Sequence, residues 1–226
     1  MTTKARDFST FSNGATILAD DGGTAALVVQ ALSGQTGNLI EIKNNSGSVI
    51  ASFGPTGQLI EPGTVLQTVV QRTDTLLSYA TGANGVGAEF TNLRVSITPK
   101  FANSMILCMF QVHGEGALTH NYSYRIFKNG SEPSGTYAGY NNVSGDAIWS
   151  GFTQALPYES DYNSTPMTQT IRYHDFPNTT STITYAPGIL ATGDGVSTYY
   201  VNRTAGATQA GYETGVSISI AMEVAQ

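Results

Sequence analysis

The chain has 226 residues, a formal net charge of −6, 40% hydrophobic residues and only 12% charged ones. An acidic chain with no Lys/Arg cluster is excluded as a nucleic-acid binder, which needs basic stripes to neutralise phosphates. The apolar content is too high for a disordered chain, and no apolar run reaches the ~18 residues that a membrane-spanning helix requires, so no membrane insertion is expected.

Residues 1–25 are polar and Gly-rich and close on Asp20-Asp21-Gly22-Gly23. Met1-Thr2-Thr3-Lys4-Ala5-Arg6-Asp7 leads into polar residues, not into the apolar stretch of a secretory signal. Phe8, Phe11, Ile17 and Leu18 are apolar anchors without a period. Such an arm reads either as a docking peptide that orders on a larger assembly or as a frayed terminus.

Residues 26–62 contain a small alternating hairpin. Ile40 and Ile42 fall on one face of a first strand, with Glu41 and Lys43 opposite. Asn45-Ser46-Gly47 supplies residues that tolerate a tight reversal, and Val49, Ala51 and Phe53 then share a face. A second Gly turn precedes Leu59-Ile60. A sheet this small buries too little apolar surface to stand alone in water, so it needs a partner, and the most economical partner is a copy of itself. The alternative is an edge hairpin of an ordinary globular sheet. Glu61-Pro62-Gly63 breaks the pattern and marks a boundary.

From residue 64 onward, strands are expected at 64–71, 90–98, 104–112, 122–128, 147–155, 168–175, 180–186, 197–202 and 216–224, separated by Gly, Pro, Asn and Ser turns such as Lys128-Asn129-Gly130-Ser131. Such a succession without crossover helices predicts an all-β fold with an antiparallel β-sandwich, jelly-roll-like, over residues 63–226. The single Cys108, within Met105-Ile106-Leu107-Cys108-Met109-Phe110, reads as a small buried hydrophobe.

Two resemblances bear on this order. Leu27-Val28-Val29, Gly34-Gln35-Thr36-Gly37-Asn38-Leu39-Ile40-Glu41-Ile42, then Gly47, Val49-Ile50, Phe53, Gly57 and Leu59 resemble the shaft modules of bacteriophage fibres. That resemblance implies an intertwined homotrimeric shaft, here a single short one. Gly63-Thr64-Val65-Leu66-Gln67, Phe90 with Leu93 and Val95-Ser96-Ile97-Thr98-Pro99, Tyr124-Arg125-Ile126-Phe127-Lys128-Asn129-Gly130, Val201-Asn202-Arg203 and the closing Gly215-Val216-Ser217-Ile218-Ser219-Ile220 are similar to a C-terminal head domain of fibre and other virion proteins of marine and cyanobacterial phages. The two together imply a non-enzymatic virion protein, assembled in the host bacterial cytoplasm, whose arm binds other virion proteins. Its expected role is adhesion to the host surface as a tail fibre or receptor-binding tip. A capsid (head) fibre or decoration protein is the alternative with the same fold.

The candidate ligand surface is aromatic. Tyr137, Tyr140, Trp149, Phe152, Tyr158 and Tyr162 crowd a Gly/Asn/Ser-rich stretch. Rings offer rigid contact area and Asn/Ser adaptable hydrogen bonds, so bacterial surface glycan is the expected ligand. Trp149 and Phe152 read as core, leaving Tyr137, Tyr140, Tyr158 and Tyr162 for contact. His113, His120 and His174 lack a paired ligand spacing, and no metal or cofactor is expected. Asp146, Glu159, Asp161, Asp175 and Asp194 sit in predicted loops or at strand ends, with nothing fixing two at glycosidase separation. A glycan depolymerase therefore ranks behind the binding readings.

Overall fold

The computed structural model describes residues 28–81, 87–117, 122–133, 165–191, 197–206 and 213–226. The N-terminal arm and the strand expected at 147–155 lie outside the described residues. Two compact units divide the chain, Met1–Leu59 and Ile60–Gln226. The described residues are built of β-strands, with one 3-10 turn.

β1 (Ile40–Lys43) and β2 (Val49–Phe53) of the first unit and β3 (Leu59–Ile60) at its boundary form one sheet in that order. The two connections share one design. Asn44 N–H donates to Ser48 O (2.9 Å) and Gly47 N–H to Asn44 O (3.0 Å), as Gly54 N–H does to Gln58 O (2.9 Å) and Gly57 N–H to Gly54 O (2.9 Å). Gly47 and Gly57 both sit at φ 82°, the left-handed residue that closes a three-residue hairpin loop. Across β1 and β2, Ile40 faces Phe53 and Ile42 faces Ala51, but the register shifts between Ile42 and Lys43, so Val49 stands opposite Lys43 and does not continue the apolar face that alternation gives it. The opposite face holds Ser52 and the Glu41–Lys43 ion pair (2.8 Å).

The second unit contains β4 (Val65–Thr73), β5 (Leu77–Ala80), β6 (Ala88–Glu89), a 3-10 turn (Thr91–Leu93), β7 (Val95–Ile97), β8 (Met105–Gly116), β9 (Tyr122–Lys128), β10 (Met167–Asp175), β11 (Ile183–Ala191), β12 (Thr198–Val201) and β13 (Ser217–Val224). One sheet runs β4-β13-β8-β12-β5 with β10 also on β8; the other runs β6-β11-β7 with β9 also on β11. Every register given for these strands is antiparallel.

The twelve-residue β8 organises the first sheet. It pairs with β10 along Ile106–Gly114, with β13 along Met105–Gln111 and with β12 along Gly114–Gly116. A strand has two edges, and β10 overlaps both of the others, so β13 and β12 share one edge end to end. Two strands fanning from a single edge curl the sheet around its concave face. β11 repeats the arrangement: β9 takes one edge while β7 and β6 divide the other. Between them lies Pro187, which has no N–H to give; its carbonyl accepts from Phe90 N–H (2.9 Å).

That interruption corrects one expectation. Residues 90–98 are not a continuous strand, because the chain turns at Thr91–Leu93 and drives Phe90 and Leu93, both fully buried, into the core. β5 and β6 are added strands, and β8 and β11 run further than their apolar cores suggest.

The two sheets enclose Ile106, Cys108, Phe110 and Val112 of β8 with Val95, Ile97, Ile126, Ile183, Ile189, Tyr122, Tyr124, Tyr185 and Tyr199. Buried tyrosines need partners: Tyr124 and Tyr199 share a hydroxyl–hydroxyl bond (2.5 Å), and Tyr122 meets Ser197 Oγ (2.5 Å). Burial first, then the nearby Asp175 charge, pushes the Cys108 thiol well above its ordinary range. Gly114 and Gly116 stand where β12 joins β8, on the concave side. A Cβ at Gly116 would overlap the Tyr122 ring, and one at Gly114 would meet Tyr200 O and the Tyr199 ring. Gly116→Ala is therefore expected to cost about 1–3 kcal/mol through overpacking, read as a lower denaturant midpoint with an unchanged slope.

Candidate functional site

The four tyrosines expected to touch ligand, Tyr137, Tyr140, Tyr158 and Tyr162, lie outside the described residues, as do Trp149, Phe152, His120, Asp146, Glu159, Asp161, Asp194 and the arm anchors Phe8, Phe11, Ile17 and Leu18. What the structure shows is the ground from which the aromatic stretch returns. Thr165, just after it, is held by Glu115, a side chain only 3% exposed at the end of β8. Glu115 Oε1 accepts from Thr165 N–H (3.1 Å) and Oγ1 (3.0 Å), while Oε2 accepts from Ala205 N–H (2.6 Å). One buried carboxylate thus ties two chain segments to the strand end where β12 also begins.

Glu223 works the same way elsewhere. Fully buried on β13, it accepts from Lys100 N–H (2.8 Å), Phe101 N–H (3.1 Å), Ser104 Oγ (2.8 Å) and Gln67 Nε2 (2.6 Å). Burial pulls its pKa up, but these donors together outweigh burial and leave it below the ordinary 4.5. Asp175, at the end of β10, accepts from Tyr185 OH (2.6 Å) and pairs with Lys128 (2.6 Å).

The histidines are separated. His113 Nε2 meets Glu213 O (3.3 Å), a carbonyl that only accepts, so this nitrogen carries the hydrogen; Nδ1 meets Thr168 Oγ1 (3.0 Å). His174 stands edge-on to Phe176. Among the described residues no three His, Cys, Asp or Glu side chains group as a metal site.

Two apolar surfaces face outward. One is the β1–β2 face, where Ile42 is 47% and Phe53 37% exposed while Ser52 is 4% exposed, the reverse of a self-sufficient sheet. The other is the convex face of the β4-β13-β8-β10 sheet. There Val70, Ile220, Met109 and Arg172 form one cross-strand row, and Thr68, Met222, Leu107 and His174 the next. Val70 is 58% exposed.

A polar cleft of about 370 Å³ opens on the other sheet, lined by Arg94, Ser96, Asn129, Gly130 and Thr184. Sequence reading recognised Asn129-Gly130 only as a turn. It could not show that this turn closes against β7 and β11.

No protein-family model and no curated protein matches the chain.

Glu223 stabilises the fold above the unfolded carboxyl pKa, and that contribution is lost as pH falls through its lower folded value. Glu223→Gln places an amide NH₂ against donors already pointing inward, at a cost of about 1–3 kcal/mol near neutrality. The difference from wild type should shrink below pH 4.5, as followed by thermal unfolding across a pH series.

Proposed function

We propose that the chain is a trimeric virion fibre protein, a tail fibre or receptor-binding tip that holds a bacteriophage to host surface glycan. The carrying observation is the first unit's sheet: Ile40, Ile42, Ala51 and Phe53 share one face, the large ones a third to a half exposed. Covering each partly exposed side chain is worth about 1 kcal/mol, and an uncovered sheet of this size is marginal in water. Copies of the same sheet supply a self-complementary cover and also occupy the open edges of β1 and β3. The number three comes from the resemblance of this segment to phage-fibre shaft modules. The convex apolar rows of the second unit favour self-association in their own right, because exposed contiguous apolar surface marks interaction sites.

Sedimentation of the full-length chain should give three times its 23.8 kDa mass, and Ile42→Asp should lower that mass. A wild-type monomer at micromolar concentration would overturn the proposal. Antibody labelling of whole virions is expected at the tail, and label over the head would transfer the role to a capsid fibre.

A further inference from the structure

We propose that the cleft on the second sheet is a binding subsite for a neutral saccharide. Its floor is a cross-strand pair: Ser96 of β7 faces Thr184 of β11, with their hydroxyls 2.7 Å apart. One hydroxyl hydrogen serves that bond, so the pair retains a second hydrogen and open lone pairs. It can donate and accept in the same direction, as vicinal sugar hydroxyls require.

One wall is Arg94. Its Nε (2.9 Å) and Nη2 (2.5 Å) are bound bidentately by Glu89, which is only 10% exposed, while Arg94 is 45% exposed. Glu89 fixes the guanidinium plane and balances its charge. The Nη1 donors lie outside that fork, presented to a ligand at little ordering cost. Because the pair is neutral as a unit, an anionic ligand gains little there, whereas hydroxyl oxygens gain directional donors.

The other wall is the Asn129-Gly130 turn. Positive φ at both residues (52° and 81°) and the Lys128–Ser131 bridge make it a two-residue hairpin turn. Asn129 is also locked to β11: its N–H donates to Thr184 O (2.8 Å) and its Oδ1 accepts from Thr184 N–H (2.9 Å). With Oδ1 engaged, the amide has its Nδ2 donors to offer. Gly130 brings this turn beside the Arg94–Glu89 pair, since a Cβ there would lie 3.9 Å from Arg94 Nη2 and 4.0 Å from Glu89 Oε2.

The cleft thus sets guanidinium, amide and hydroxyl groups on strands and a rigid turn, the support that a preorganised site needs. Its volume lies at the small end of the roughly 300–1,000 Å³ range of ligand pockets, and its lining holds no aromatic face. Single-site affinity is therefore weak. Its use in adhesion rests on the fibre reading, where repeated copies add avidity; saccharide binding at one cleft does not.

The test is amide-resolved NMR of the full-length chain titrated with glucose, galactose, mannose and N-acetylglucosamine, with sialic acid as the anionic comparison. Saturable shifts are expected at Ser96, Asn129, Gly130 and Thr184 with at least one neutral sugar. Ser96→Ala with Thr184→Val should weaken binding about tenfold, the equivalent of one lost net hydrogen bond. Thr98→Val with Thr182→Val removes the neighbouring hydroxyl pair (2.7 Å), which does not line the cleft, and should leave binding intact. The proposal is overturned if no sugar gives saturable shifts at these amides, if the Ser96/Thr184 variant binds as wild type does, or if sialic acid binds more tightly than every neutral sugar. None of these readings depends on the number of chains in the particle, which sedimentation decides separately.

Discussion

The second unit depends on one strand serving three partners. β8 gives one edge to β10 and divides the other between β13 and β12. Two strands cannot leave the same edge in sequence without diverging, so the sheet bends at the fork, and glycine occupies β8 there at 114 and 116. Without side chains at those positions the Tyr122 and Tyr199 rings lie directly on the backbone. The concave face then holds a core rich in buried tyrosine, which stays satisfied because the hydroxyls bond to one another and to Ser197. β11 solves the same problem with Pro187, where an absent donor leaves room for the 3-10 turn and the Phe90 and Leu93 plugs.

A chain with so few charges uses some of them inside. Glu115 and Glu223 are buried, and both gather N–H or hydroxyl donors from segments between strands. Asn202, fully buried, donates its Nδ2 hydrogens to the carbonyls of Thr73 and Thr75 (3.0 Å each) and accepts from Ser217 Oγ (2.7 Å). Buried polar groups like these contribute modest net stability when paired, yet are expensive when one partner is lost. Their effect is to specify which loop conformation the strand ends carry.

The outward surfaces divide by chemistry. Apolar rows lie on the first unit's sheet and on the convex face of the six-stranded sheet of the second, surfaces of the kind that mark interaction sites. The smaller sheet is polar outside, with the Ser96–Thr184 and Thr98–Thr182 hydroxyl pairs in successive registers and the neutralised Arg94–Glu89 pair beside them. On the proposed reading, assembly uses the first kind of surface and sugar recognition the second.

Much of this was legible in residue order. Alternation placed Ile40, Ile42, Val49, Ala51 and Phe53 on strand faces, the apolar run around Cys108 marked a buried strand, and Asn-Gly marked a turn, because each is a local property of backbone geometry and side-chain period. The resemblance to phage-fibre modules was read from the same residues and rests on sequence alone. What local pattern could not supply was pairing. That Ser96 stands beside Thr184, that Asn129 locks onto β11, that Glu223 reaches Lys100 and that residues 90–98 break at Pro187 are contacts between segments far apart in the chain. Periodicity gives each strand its two faces. Which strands become neighbours is decided only when the whole core closes, and the cleft exists only between neighbours.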